Sequence, residues 1–159
     1  MFIRYYLELD RPCEMVATLL PSEGPGGWLV AIIQESARWE GELMRRAGLG
    51  PPHRWGERRD GIAVGPPVPF GGGLLVPLSW RSAGHGALFP VVEADLQIAP
   101  LGRELTQLSI NARYQPPPSE PGMDLDRTLL HRVAEAVVGD LLRRVASALN
   151  ARLGDLSGT

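Results

Sequence analysis

The chain has no lysine: all 16 basic residues are arginine, set against 18 acidic residues for a formal charge of −2. A balance so near zero creates no global field for nucleic acid or an anionic membrane surface. The arginine-only usage, with 19 Gly and 15 Pro, points to coding in a GC-rich, bacterial-type genome. There is one cysteine, Cys13, so neither an intrachain disulfide nor a cysteine-rich metal cluster can form. The three histidines, His53, His85 and His131, show no metal-ligand spacing. No apolar run is long enough for a membrane span. The amino-terminal stretch MFIRYYLELDRP carries charges every few residues and lacks an apolar signal core. A soluble cytoplasmic protein is the expectation.

Signature motifs are missing too. No G-x-S-x-G elbow presents a serine nucleophile. Gly24, Gly26 and Gly27 precede a helix, but no strand leads into them and no Gly-Lys-Ser/Thr follows, so they read as a turn and not a phosphate cradle. Gly71–Gly73 reads as a hairpin tip. Arg54, Trp55, Arg58 and Arg59 make a small basic patch with an aromatic. Glu57 and Asp60 interrupt it, which argues against nucleic-acid binding.

What is present is enough for one packed domain. The chain has 159 residues, 44% of them hydrophobic, which suits a globular fold with a real core. Its dominant segment is Asp124 to Leu153, DLDRTLLHRVAEAVVGDLLRRVASALNARL, opened by Asp124 and closed by Gly154. Leu130, Val133, Ala134, Val137, Leu141, Val145 and Ala148 recur at steps of three and four and share one helical face. Thr128, Arg132, Glu135, Gly139, Arg143, Ser147 and Asn150 form the opposite, wetted stripe. At ~1.5 Å per residue this helix is ~45 Å long and needs a broad apolar surface to lie on.

The rest of the chain supplies that surface. Phe2 to Asp10 alternates Ile3, Tyr5, Leu7 and Leu9 against Arg4, Tyr6, Glu8 and Asp10, a strand with one buried face. Asp10 is placed to cap a short helix that holds Pro12 in its first turn and ends at Pro21. A second helix runs from about Trp28 to Ala47, with Leu29, Ile32, Ile33, Ser36, Leu43 and Met44 on one face and a Glu42–Arg46 pair outside. Gly48 stops it. From Pro51 to Pro116 the pattern changes to hairpins. Arg59–Val64 is a weak strand running into the turn-rich GPPVPFGGG. Leu74–Arg81 is a strand whose Pro77 suggests an edge or a bulge. Val91–Ile98 and Leu105–Tyr114 alternate clearly, as strands of an antiparallel meander with one dry face.

The fold class is therefore α+β, with the meander and the long helix packed face to face. That order resembles the helix-grip fold of the START-like (SRPBCC) superfamily, which includes polyketide cyclases and lipid-transfer domains. The resemblance covers nearly the whole chain. It extends to GPP (65–67), VPLSWR (76–81), LFPVVEADLQIAPLG (88–102), TQLSINARYQPP (106–117) and LLHRVAEAVVGDLL (129–142), which look like an actinobacterial-type branch. It implies a curved antiparallel sheet wrapped around the carboxy-terminal helix, with residues 1–153 as one domain and 154–159 as a short disordered tail.

The resemblance also implies an apolar cavity between sheet and helix. Its walls would include Tyr5, Trp80, Leu96 and Leu108. Ile110, Tyr114, Val138 and Leu142 would complete them. The alternative is that the same side chains simply fill the space. By helical projection Arg127 and His131 fall in or beside the apolar sector, where they could bind a ligand carboxylate or enolate at the cavity mouth. Their plainer reading is a salt bridge and a half-buried histidine. Glu93 and Asp95 share a strand face and could split acid and base roles, but that face should be solvated. No catalytic set, metal site or cofactor emerges. Three readings stay open: a binding or carrier module for a hydrophobic small molecule or lipid, a polyketide cyclase- or aromatase-like enzyme, and a protein-interaction domain with a filled core.

Overall fold

The computed structural model describes residues 1–20, 27–46, 61–81, 91–115 and 127–157. In chain order the elements are β1 (Phe2–Leu9), α1 (Cys13–Thr18), α2 (Trp28–Arg46), β2 (Ile62–Val64), β3 (Val68–Phe70), β4 (Gly73–Arg81), β5 (Val91–Pro100), β6 (Thr106–Gln115) and α3 (Arg127–Ser157). Among the described residues they form an α+β fold of helix-grip type. The strands make a six-stranded antiparallel sheet in the order β1-β6-β5-β4-β2, with β3 also paired to β4. Gly24 and Gly26 of the expected turn, the Gly48 stop, the basic patch from Arg54 to Asp60 and the Asp124 cap lie outside the described residues.

Alternation decides which face of the sheet is dry. Val92, Ala94, Leu96 and Ile98 of β5 are buried, and so are Thr106, Leu108, Ile110, Ala112 and Tyr114 of β6. Glu93 and Asp95 point the other way and are exposed. Ile3 and Leu9 of β1 join the dry face, with Tyr5 and Leu7 half-buried between them. The unbroken pairing of β1 with β6, from Phe2↔Arg113 to Leu9↔Thr106, brings the amino terminus across most of the chain length. Reciprocal bonds between Met1 and Tyr114, at 3.2 Å and 2.9 Å, fasten its end.

Helix α3 lies on this dry face and is buried around more of its circumference than one stripe. Leu130, Ala134, Val137 and Leu141 are fully buried, as expected, but so are Val138 and Leu149. The helix meets β1 and β6 on one side and α2 on another, so two apolar sectors are needed. Gly139, placed by helical spacing on the wetted stripe, is in fact buried: a Cβ there would come within 3.3 Å of the Tyr5 ring. Glycine lets strand β1 approach the helix at that point. Gly154 does not end the helix either, which continues to Ser157 through part of the stretch expected as a tail. An exposed glycine costs a helix only ~1 kcal/mol, too little to stop one anchored by a buried Leu153 in the turn before it.

Helix α2 packs against α3, and Trp28 at its start sits under the Arg152 guanidinium near the end of α3, at 5.2 Å. The Glu42–Arg46 pair forms at 2.8 Å on its outer side. Helix α1 starts from Pro12 with no side-chain cap, so Asp10 does not serve there. Instead the Pro12 carbonyl accepts the Met15 and Val16 amides at 3.1 Å and 3.2 Å.

The Pro- and Gly-rich stretch after residue 61 holds more strand than expected. β2 covers Leu78 to Trp80 of β4, and β3 covers Gly73 to Leu75. The gap between them falls opposite Pro77, whose carbonyl accepts the Gly65 amide at 2.8 Å. Pro77 thus lies in an interior strand, not at an edge. Having no N–H to satisfy, it is tolerated where its neighbour's ladder is broken. The hairpin tip is as expected: Gly71 and Gly72 both take positive φ, 55° and 79°, as a tight two-residue turn demands.

Candidate functional site

Seven of the residues expected between sheet and α3 are buried. Leu96, Leu108, Ile110 and Val138 have no accessible surface, and Trp80, Tyr114 and Leu142 have 1%. A void large enough for water would appear as accessible area on its walls. Among the described residues, these walls leave no room for water between them. Tyr5 sits at the β1 edge, half-buried, with its ring against Gly139. The Arg127 backbone opens α3, but its side chain lies outside the described residues.

His131 is not over the interior. Its side chain is 42% exposed, and its Nε2 lies 3.1 Å from Glu135 Oε1, one turn along the helix. Its position at the border of the apolar sector lets it turn to solvent and to a carboxylate partner. Glu93 and Asp95 also face outward. They help line an open groove of about 470 Å3 on the outer face of the sheet, with Phe2, Pro77 and Arg113 among its other walls.

The interior is polar at one end. Trp80 of β4, Val92 of β5 and Tyr114 of β6 stand in one row across the sheet. From α2, Glu40 reaches this row: its side chain is fully buried, and Trp80 Nε1 donates to Glu40 Oε2 at 3.2 Å. The Tyr114 hydroxyl is buried and forms no well-shaped hydrogen bond, yet the Glu40 carboxylate is near enough to influence it. Burial first, and then the charge and hydrogen-bonding reach of Glu40, push the Tyr114 phenol far above its ordinary value, so it stays protonated. One turn before Glu40 on the same face, Ser36 Oγ is fully buried and has no partner.

Ser36 belonged to the inward face already read from the sequence; Glu40 did not. The signal was available. Leu29, Ile33, Ser36, Glu40 and Met44 are spaced four, three, four and four apart, so an inward Leu29 and Met44 carry Glu40 inward with them. A carboxylate on an apolar stripe is unusual, and burying it demands hydrogen-bonding partners.

Cys13 is a poor nucleophile: it is buried, and burial together with the neighbouring Glu14 raises its thiol pKa. Among the described residues no group of three or more His, Cys, Asp or Glu gathers as metal ligands, and no helix is long and apolar enough to cross a membrane.

The overall architecture has counterparts among solved structures. A conserved protein from Geobacillus kaustophilus aligns over 95% of this chain and 96% of its own, with 16% identity and a TM-score of 0.54. A START superfamily protein from Mycobacterium smegmatis aligns over 98% of both chains at 15% identity, with a TM-score of 0.42. An aromatase/cyclase from a Streptomyces species covers 96% of this chain and 95% of its own at 15% identity, with a TM-score of 0.45. The first likeness is one of fold, and the other two add nothing to it at those scores. No family model matches the chain, and no curated protein does.

Proposed function

We propose that this domain is a binding or carrier module for a hydrophobic small molecule or lipid, held between the sheet and α3. The observation that carries this reading is the polar end of an otherwise apolar interior. Two buried hydroxyls, Ser36 Oγ and Tyr114 Oη, go without well-formed partners beside a buried carboxylate. Each such group costs ~1–3 kcal/mol, a burden that stability alone does not explain. Ligand sites combine apolar walls with a few convergent polar groups, and this end of the interior has both. Access requires the Glu40 half of α2 to shift off β4. The Glu40–Trp80 bond is then broken, at a net ~1.5–3 kcal/mol for a hydrogen bond to a carboxylate. The incoming molecule offsets that cost by partnering the hydroxyls.

A second reading is favoured by the closed packing. Walls with 0–1% accessibility suit a protein-interaction domain whose interior serves stability. A cyclase-like activity has less behind it, since the His131 side chain is 42% exposed and paired with Glu135, which leaves Tyr114 as the buried one of these two groups. Native mass spectrometry of gently purified protein, followed by solvent extraction, tests the leading reading. A co-purified apolar molecule in stoichiometric amount is the expected result. A uniform apo mass, together with no gain in melting temperature across a panel of lipids and aromatics, overturns it in favour of the filled core.

A further inference from the structure

The sheet ends on β1, and that edge is left open. Met1 and Tyr114 bond to each other in both directions, so along the unbroken register Ile3, Tyr5, Leu7 and Leu9 aim their main-chain groups at β6. Phe2, Arg4, Tyr6 and Glu8 aim theirs away from it. Among the described residues nothing bonds to those outward N–H and C=O groups. Proteins commonly protect such an edge by shortening it, bulging it or placing proline in it. β1 has eight residues, a continuous ladder and no proline or glycine. We propose that β1 is a homodimer contact: it pairs antiparallel with β1 of a second copy about a two-fold axis at Tyr6, and the two sheets run on as one.

The sequence of the strand names the occupant. An outward residue can bond only to another outward residue, which leaves registers that differ by steps of two. With Tyr6 on the axis, Arg4 lies directly opposite the partner's Glu8, and Glu8 opposite the partner's Arg4. Each of these pairs, and the Tyr6 pair between them, exchanges two main-chain bonds. Opposite charges facing across strands stabilise the pairing. Moving the axis to Arg4 puts two guanidinium groups face to face, and moving it to Tyr5 sets each Glu8 against a Phe2. A parallel alignment in register stacks Arg4 on Arg4 and Glu8 on Glu8. Charge therefore selects one antiparallel register, and a second copy as the strand that fits it.

Both faces of the sheet agree with this register. On the outer face Arg4 and Glu8 are exposed and lie opposite the neutral Asn111 and Gln107 of β6, so neither faces an opposite charge across its own ladder. Tyr6, 64% exposed, gains the partner's Tyr6 as a neighbour. On the dry face Ile3 and Leu9 are already buried, while Tyr5 and Leu7 between them are half-buried. The same register sets Tyr5 opposite the partner's Leu7, and so covers the two side chains that a single copy leaves partly open. Phe2 stays outside the join, where the Arg113 guanidinium already lies over its ring at 5.8 Å.

Sedimentation velocity of the full chain over a hundredfold range of concentration tests this. The expected result is reversible exchange between one copy and two, with dimer in the majority at the top of the range. Arg4→Glu sets carboxylates against each other and should weaken dimerisation at least tenfold. In Arg4→Glu/Glu8→Arg the pairs re-form at unchanged net charge, and the affinity should return to within about threefold of the parent. Within one chain the two positions are ~13 Å apart along the strand, so the rescue reads contact between copies. Tyr6→Pro removes an outward N–H and no bond to β6, and should also reduce the dimer. Circular dichroism checks that each variant is folded. A monomer at every concentration overturns the proposal. So does a dimer that folded Arg4→Glu and Tyr6→Pro variants leave unchanged, and so does a loss in Arg4→Glu that the double exchange fails to restore.

Discussion

The middle of the interior and its Glu40 end are built from the same elements but to opposite rules. In the middle, Leu96, Leu108, Ile110, Val137 and Val138 interlock with no accessible surface and no polar atom. Each such side chain, fully buried, contributes ~1.5–3 kcal/mol. At the end, a carboxylate, an indole, a phenol and a serine hydroxyl are just as buried, and two of the four lack good partners. The middle favours stability. The end gives some of it up, which is the usual mark of a place kept for binding or chemistry.

Substitutions that swap these rules should sharpen the contrast. The largest effect is expected from Val137→Asp, which puts a carboxylate into the middle where nothing can pair with it. The domain should lose its cooperative melting transition in circular dichroism. A normal melting curve would show that α3 is oriented differently. A smaller effect of opposite sign is expected at the polar end. Tyr114→Phe removes a poorly partnered buried hydroxyl and should raise stability by ~1 kcal/mol, or about 2–4 °C in melting temperature.

The same variant has a pH signature. The folded protein holds the Tyr114 proton above the phenol's ordinary value of 10.0, whereas the unfolded chain releases it there. Above about pH 10 the unfolded state therefore binds fewer protons, and stability falls as pH rises. That alkaline loss should be shallower in Tyr114→Phe. Equal slopes in urea titrations at pH 9 and 11 for both proteins would contradict the placement of Tyr114. The smallest change is expected at His131→Ala. Its partner Glu135 is 46% exposed, so the pair is screened and its loss should cost under ~0.5 kcal/mol. A collapse of the fold would reveal a structural role for His131.

The dry middle was legible in the sequence because it is periodic. β5 and β6 alternate cleanly, and α3 repeats its apolar residues at helical steps, so the helix-on-sheet fold follows from pattern alone. The polar end was only half legible. Trp80 and Tyr114 were expected inside, but a glutamate in an amphipathic helix reads as solvent-facing unless the whole turn around it is counted. At His131 the plainer of the two readings fits, a half-buried histidine paired with a carboxylate: projection places the residue at a sector border, and the nearby Glu135 gives it a partner. β3 was hidden because a valine, a proline and a phenylalanine among glycines carry turn chemistry more strongly than strand alternation. Gly139 could not be read as buried without knowing that Tyr5 comes from the far end of the chain to meet it.

The interrupted ladder opposite Pro77 has a consequence for how copies of this protein meet one another. A sheet edge normally offers a row of N–H and C=O groups onto which another chain can add a strand. Here that edge is two three-residue strands separated by Gly65, Pro66 and Pro67, with Pro69 inside the second. Prolines 66, 67 and 69 have no amide hydrogen to offer, so an incoming strand would find no continuous run of donors. The break that accommodates a proline in β4 also blunts this edge of the sheet against strand addition, whereas the opposite edge, β1, is continuous.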